Sequence, residues 1–473
     1  MKRIQLGPFN RVEGDLEIGL DIDAGRVVAA RVNSPLFRGF EQILVGRNPA
    51  DALAVVPRIC GICSVAQSAA AAAALAALAG VTPPPNGQLA SRLVLATENL
   101  ADHLTHFYLF FMPDFARAAY AGRHWHDDVA RRFTAQHGSA VAPWLQARAR
   151  FFNLTGFLAG RWPHTLALQP GGSSKAMTAA ERIRILALLR EFRAFLEGRL
   201  FADSLEAFAG LAAFDELQAW AATRDGDFAL FLRAAGDLGL ERCGRAADRF
   251  LSYGAYELFP AGLWQADTGA QPLDMTRIAE DVSHSWLYGD TPLPPAQGET
   301  RVDADKAEAY TWCKAPRYGG QVVETGALSR QLVAGHPLLR DLVARHGGSV
   351  TARLVARMLE VAQVVPAMEN WLRAIEPGKA FCLPAPLPDS GQAVGLVEAA
   401  RGGLGHWLSV KRGRIERYQI IAPTTWNFSP RDAAGTPGAL EQALVGLPAG
   451  DDAPPTVQHV VRSFDPCMVC TVH

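Results

Sequence analysis

The sequence predicts an α+β fold, predominantly α, with a buried helical bundle core and small β-sheets near the N- and C-terminal ends. Three observations lead there. Long central stretches repeat apolar residues at spacings of three and four, the period of a helix. The segment SVAQSAAAAAALAALAG after Cys63 is apolar on every side, so its helix belongs inside a bundle, where small residues let neighbours approach closely. Period-two alternation is confined to the two ends. A chain of 473 residues would admit about three domains of roughly 100–200 residues each. The proline-rich stretches at 292–295 and 383–388 are too short for linkers, however, and residues 1–473 are expected to form a single domain.

In chain order, LEIGLDI and RVVAARVN flank the turn Asp23, Ala24 and Gly25, which predicts an opening β-hairpin. The pattern becomes helical at Asp51. The alanine-rich helix is closed by Gly80 and the proline run ending at Pro85. Further helices are expected over about 90–115, over AERIRILALLREFRAFLEGRLF, and over GSVTARLVARMLEVAQVVPAMENWLRAI. After Gly405, HWLSVKRGRIERYQIIAP returns to strand, with KRG as a hairpin turn.

Lys plus Arg number 46 against 47 Asp plus Glu, and no basic block is interleaved with aromatics, which argues against a nucleic-acid partner. Apart from the alanine-rich segment, no run approaches the roughly 20 apolar residues of a membrane helix, so no direct membrane insertion is expected. MKRIQLGPFNRVEGDLEI has no signal-peptide core, and a cytoplasmic location is expected. The seven cysteines do not form a disulfide framework. Cys243, Cys313 and Cys382 stand alone; the other four form RICGIC, with Cys60 and Cys63, and DPCMVCTVH, with Cys467 and Cys470.

Four thiolates suit tetrahedral zinc or a softer transition metal, and structural zinc stays open on these residues alone. Zinc modules usually keep their two pairs within tens of residues, whereas these lie at opposite ends of the chain. A metal here would staple the two ends together. Because Cys63 precedes the alanine-rich helix, the first pair is expected near a helix N-terminus, where free N–H groups and the helix dipole favour a thiolate, with Arg58 adding positive charge.

Nine motifs in order, RVEGD (Arg11 to Asp15), FRGFE ending at Glu41, RICGIC, HLTHFYLFFMPDF, WPHTLALQPGG, KAPRYGG, EAARGGLGHW, PTTWNFSPRD and DPCMVCTVH, resemble the large, catalytic subunit of nickel-iron hydrogenases. The resemblance implies that Cys60 and Cys467 are terminal nickel ligands, while Cys63 and Cys470 bridge to an iron carrying one carbon monoxide and two cyanides. H2 would be split heterolytically, with Cys467 the first proton acceptor and Glu13 the carboxylate that carries the proton away. Arg401 would lie over the iron diatomics, paired with Asp114 and Asp465, and Thr424 would donate to a cyanide. Glu41, the backbone carbonyl of Ile420 and His473 would hold Mg2+.

The chain departs from the common pattern at several positions. Gln67 stands where most members have histidine; it can donate a hydrogen bond but cannot titrate near neutral pH. Asp15 and Leu109 also replace histidines, and Ala400 replaces a proline that would fix the arginine loop. Ile62 and Phe110 are bulkier than the valine and leucine usual along the gas channel. Together Gln67, Ile62 and Phe110 resemble the hydrogen-sensing, regulatory branch, whose members stay active in air, although isoleucine and phenylalanine are also ordinary core residues. Ending at His473 without an extension fits that branch. Three scattered cysteines cannot hold a four-thiolate cluster, so the resemblance implies an iron-sulfur small subunit in an obligate heterodimer, or a dimer of heterodimers, and a histidine kinase reached through it. The alternatives are the large subunit of an energy-linked uptake hydrogenase and a non-catalytic, zinc-stapled scaffold.

Overall fold

The computed structural model describes residues 2–449 and 455–471, so the expectation for His473 falls outside the described residues. The chain opens with an antiparallel sheet of β1 (Lys2–Leu6), β2 (Glu17–Asp23) and β3 (Arg26–Asn33) in that order. The predicted hairpin is β2–β3. Ala24 (φ 47°) and Gly25 (φ 74°) are both left-handed at its tip, as a two-residue type I′ turn requires.

Helix α1 (Ser64–Ala79) ends on left-handed Gly80, as expected. The proline run then starts the next helix: Pro85 is the first residue of α2 (Pro85–Thr105), where its missing N–H costs nothing. Beyond Thr105 the winding changes to a π-helical turn (His106–Phe111) and then a 3-10 turn (Met112–Asp114), so the 90–115 stretch is helical but not uniformly α. Helix α3 (Ala179–Phe195) starts from a capping box of Thr178 and Glu181.

The sheets are not confined to the ends. A four-stranded sheet lies mid-chain, with β4 (Phe250–Ala255), β5 (Phe259–Gln265) and β6 (Gly269–Gln271) antiparallel in sequence and the short β7 (Glu324–Thr325) parallel to β4. Strand β4 is buried on both faces, which erases the alternation that would have marked it. Helices α4 (Ala327–Ala334) and α5 (Val350–Ala374) follow, the latter buried nearly all round.

The C-terminal part is an antiparallel sheet of β8 (Gly391–Ala399), β9 (Gly402–Lys411) and β10 (Arg414–Ile421), with Arg412 (φ 53°) and Gly413 (φ 68°) making the predicted tight turn. Helix α1 lies against β8. A Cβ added to Gly395 would sit 2.1 Å from the Ala70 carbonyl oxygen, so only glycine opposite a small-residue helix permits this approach. Short α6 (Pro423–Asn427) and α7 (Pro455–Ser463) lead to the terminal cysteines. One hydrophobic cluster takes in residues from Leu16 to Cys470, all four paired cysteines included, so the candidate ligands sit in the core. Among the described residues, no helix is long and apolar enough to cross a membrane.

Candidate metal centre

The two ends of the chain meet through backbone hydrogen bonds. Glu13 and Cys467 form a parallel β-bridge; the Met468 N–H donates to the Glu13 carbonyl at 2.7 Å, and the Glu13 N–H donates to the Pro466 carbonyl at 3.4 Å. Gly14 (φ 79°) makes the crossing possible, since a Cβ there would lie 2.9 Å from the Val469 nitrogen. The terminal cysteines are thereby brought to Cys60 and to Cys63, which precedes the first residue of α1.

All four Sγ atoms lie within 4.8 Å of one another and are buried; among the described residues this is the one such grouping of three or more His, Cys, Asp or Glu ligand atoms. Cys60 is 3.3 Å from Cys467, Cys63 is 3.1 Å from Cys470, and Cys467 is 3.2 Å from Cys470. Hydrogen bonds from Cys467, Cys470 and Cys63 hold the Cys60 thiol well below its ordinary range, while contacts with Cys467, Cys470 and Cys60, and burial, push Cys63 up. Four ionised sulfurs this close would repel one another, so ionising all four in this space requires a cation.

The expectation that N–H groups at the helix start favour a thiolate of the first pair holds for Cys60, which the Cys63 backbone helps to lower, and not for Cys63, which is pushed up. The next amides along the helix are taken: Glu98 on α2, buried, accepts from the Val65 and Ala66 amides at 2.9 Å each, and from the Trp162 indole at 2.8 Å. The Arg58 guanidinium bonds the Ala54 carbonyl. Burial pushes the Glu98 carboxyl up to about 8 against those donors. A group raised in the folded state binds more protons than the unfolded chain between its two pKa values, so its contribution to stability is present at acid pH and lost as pH rises toward 8. Glu98→Gln should therefore flatten part of the fall in thermal midpoint between about pH 5 and pH 9. Parallel wild-type and variant curves would contradict this.

Arg401 is buried and holds two carboxylates. Its Nη1 and Nη2 reach Asp102 at 2.5 and 3.2 Å; Nη2 also reaches Asp465 Oδ1 at 3.0 Å, and Nε donates to the Asp465 carbonyl at 3.0 Å. Burial opposes its charge, while Asp102, Asp465 and the sulfurs of Cys467 and Cys63 favour it. Asp465 also accepts from Arg357 at 3.0 Å; burial opposes its charge, but Arg401, His106 and Arg357 hold it well below the usual carboxylate range. Burial takes Asp102 the other way, to about 7. The pairing of Asp114 with this arginine is corrected: Asp114 instead receives Arg11, Arg117 and Arg462. Asp102 has the place expected for it. It stands one residue before the HLTHFY motif, which is the signal that could have found it, and it shares an i, i+4 spacing with Glu98 on α2 and with His106 in the turn that follows.

Thr424 Oγ1 accepts from the Cys467 N–H at 3.2 Å, leaving its own hydroxyl proton to donate elsewhere. Gln67 Oε1 accepts from His406 Nε2 at 2.8 Å, and its amide nitrogen is buried with no partner. Glu13 is half-buried. Burial and then the Cys60 charge push its carboxyl up, while Arg401 and Arg38 pull it down. Ile62 and Phe110 are partly buried, Ile62 between the cysteines of the first pair and Phe110 in the π-helical turn.

Glu41 is buried, and the Ile420 N–H donates to its Oε1 at 2.7 Å. The Lys314 ammonium lies 2.9 and 3.2 Å from the two Glu41 oxygens and 2.8 Å from Gln419 Oε1. Glu280 stands 3.6 Å from the same ammonium, with Oε1 buried and unpartnered and its carboxyl pushed up to about 7 by burial.

Fold and site together define a metalloprotein whose chain ends close over one buried, soft-ligand centre. The donor set fits such a group: four sulfurs, an orphaned amide nitrogen at Gln67 and a free hydroxyl proton at Thr424. Comparison with known proteins gives it a class. Residues 38–124 and 116–473 match the family described as nickel-dependent hydrogenase. The periplasmic [NiFeSe] hydrogenase large subunit of Desulfomicrobium baculatum is 30% identical, covering 100% of this chain and 95% of its own. The uptake hydrogenase large subunit of Cupriavidus necator is 27% identical over 100% and 95%. The reduced Ni-Fe-Se hydrogenase from D. vulgaris Hildenborough superposes with a TM-score of 0.84 at 30% identity, over the whole of both chains. The chain belongs to the nickel-dependent hydrogenases, as a catalytic large subunit of the nickel-iron class.

Proposed function

We propose that Cys60, Cys63, Cys467 and Cys470 hold the nickel-iron centre, its iron carrying one carbon monoxide and two cyanides, and that the chain splits H2 heterolytically. The observation that carries this is the buried set of four sulfurs within 4.8 Å of one another. When bound, the centre supplies a site where H2 is polarised and its electrons are accepted. The protein does the rest. Cys467 takes the first proton, and Glu13, held to the Cys467 segment by its own backbone and raised by burial, passes it outward. Arg401, anchored by Asp102 and Asp465, supplies a fixed positive field over the site, and Thr424 and the Gln67 amide supply neutral donors. A hard cation, magnesium, belongs to the same reading, with Glu41, the Ile420 carbonyl and His473 as its ligands.

The thiols are buried, yet the rim around them is not. Arg58 and Gly61 are exposed, and Ile62 and residues 11–14 are only partly covered. Cys243, Cys313 and Cys382 do not join the thiol group. An iron-sulfur small subunit covering this rim would take the electrons. The finer reading is a cytoplasmic H2 sensor signalling through that subunit to a histidine kinase. It rests on Gln67, Ile62 and Phe110, since the relatives above carry the names of periplasmic and uptake enzymes.

The test is H2 consumption by the matured heterodimer before and after exposure to air. A sensor should be slow and keep its activity at once on return to H2. An air-inactivated state that recovers slowly would assign the chain to the energy-linked enzymes, and no H2 consumption in either condition would contradict the hydrogenase reading.

A further inference from the structure

Asp114 is fully buried and carries more positive charge than it can balance. Arg11 Nη2 bonds one of its oxygens, Arg117 Nη2 approaches that same oxygen at 2.8 Å, and Arg462 Nη1 approaches the other at 2.5 Å. The remaining acceptors are neutral. Arg11 Nη1 donates to the Phe110 carbonyl at 3.3 Å. Gln458 Oε1 takes Arg117 at 2.6 Å and Arg462 at 3.1 Å. Asn10 takes Arg462 Nη2 through its carbonyl at 2.9 Å and its Oδ1 at 2.8 Å. His459, packed among these groups, is pushed by burial down to about 4 and adds no charge, while burial lowers Arg462 only to about 10, leaving it cationic at neutral pH. Among the described residues no second carboxylate pairs with Arg11, Arg117 or Arg462. Three guanidiniums against one carboxylate leave two unbalanced positive charges.

Those charges face outward at one edge. Arg462 is buried at 1% side-chain exposure, whereas Arg11 and Arg117 keep 20% and 32%. The place is informative. Arg11 is two residues from Glu13, in the loop that docks on Cys467, and Arg462 lies at the end of α7, just before the terminal cysteine pair. The cluster therefore borders the uncovered rim of the metal centre. A partner that covers this rim would strip water from two guanidiniums, which is unfavourable unless it brings its own negative charge. The planar, many-donor fork of arginine suits a carboxylate best.

We infer that the Arg11, Arg117 and Arg462 cluster is the docking point for an acidic side chain, aspartate or glutamate, of the iron-sulfur subunit. The inference rests on the reading that such a subunit covers the metal-centre rim. Docking charge of this kind governs association rate, salt dependence and dissociation.

The test uses the matured heterodimer and follows exchange of a labelled large chain across a series of NaCl concentrations. Arg117→Gln should speed exchange about tenfold or more and flatten its salt dependence, Arg117→Lys should fall between the two, and Arg117→Glu should release the partner. Thermal unfolding of each variant separates docking from folding; if Arg117→Gln does not fold, the wild-type salt dependence and Arg117→Lys carry the test. Exchange in Arg117→Gln equal to wild type at every salt concentration overturns the inference and leaves the partner reading intact. So does inorganic phosphate that binds the cluster without altering exchange. If no iron-sulfur subunit co-purifies with the chain, the inference falls together with the reading beneath it.

Discussion

Glu13→Gln should retain its nickel and iron yet lose H/D exchange by about 10²- to 10⁴-fold, the span that one positioned proton-transfer group contributes. The metals should stay because Glu13 touches the terminal segment through its main chain: its carbonyl accepts from Met468 and its N–H donates to Pro466, and neither bond changes in the variant. What changes is the carboxyl. Burial and the Cys60 charge push its pKa up, and an amide can neither take nor release a proton. Exchange at the wild-type rate in a fully loaded variant would move the proton route elsewhere.

Arg401→Lys should lower turnover by about 10²- to 10³-fold and cost about 3 kcal/mol of stability, the low end for breaking a buried ion pair. Arginine here spends all three nitrogens: Nη1 on Asp102, Nη2 on both Asp102 and Asp465, and Nε on the Asp465 carbonyl. One ammonium cannot make those bonds from one position. Asp465 stays charged from far below neutrality, so its loss is felt throughout the working range. Asp102, at about 7, can instead take up a proton, so the stability deficit should deepen as pH rises through 7. Thermal midpoints at about pH 6 and pH 8, with turnover at each, check both parts. A variant as stable and active as the parent would remove Arg401 from the site.

Much of this centre was legible because its ligands are local motifs. RICGIC and DPCMVC give the four sulfurs, and the helix boundary after Cys63 follows from composition. What the text hides is pairing between distant segments. Nothing local says that Arg401 meets Asp102 across 299 positions, that Asp114 gathers Arg462 from 348 positions away, or that Lys314 lies against Glu41. Glu98, Asp102 and His106 left only a faint trace, a four-residue spacing in a stretch that also holds Asn99, His103 and Thr105. The mid-chain sheet left less, because β4 is buried on both faces and reads as plain apolar text.

The most direct measurement is an infrared spectrum of the chain co-purified with its small partner under H2, alongside nickel, iron and zinc determination. The account predicts carbon monoxide and cyanide bands, with nickel and iron present together, and loss of both in a Cys63→Ser chain, since Cys63 and Cys470 stand only 3.1 Å apart at the heart of the sulfur group. Zinc in the sulfur group, with neither band in a fully matured preparation, would contradict it.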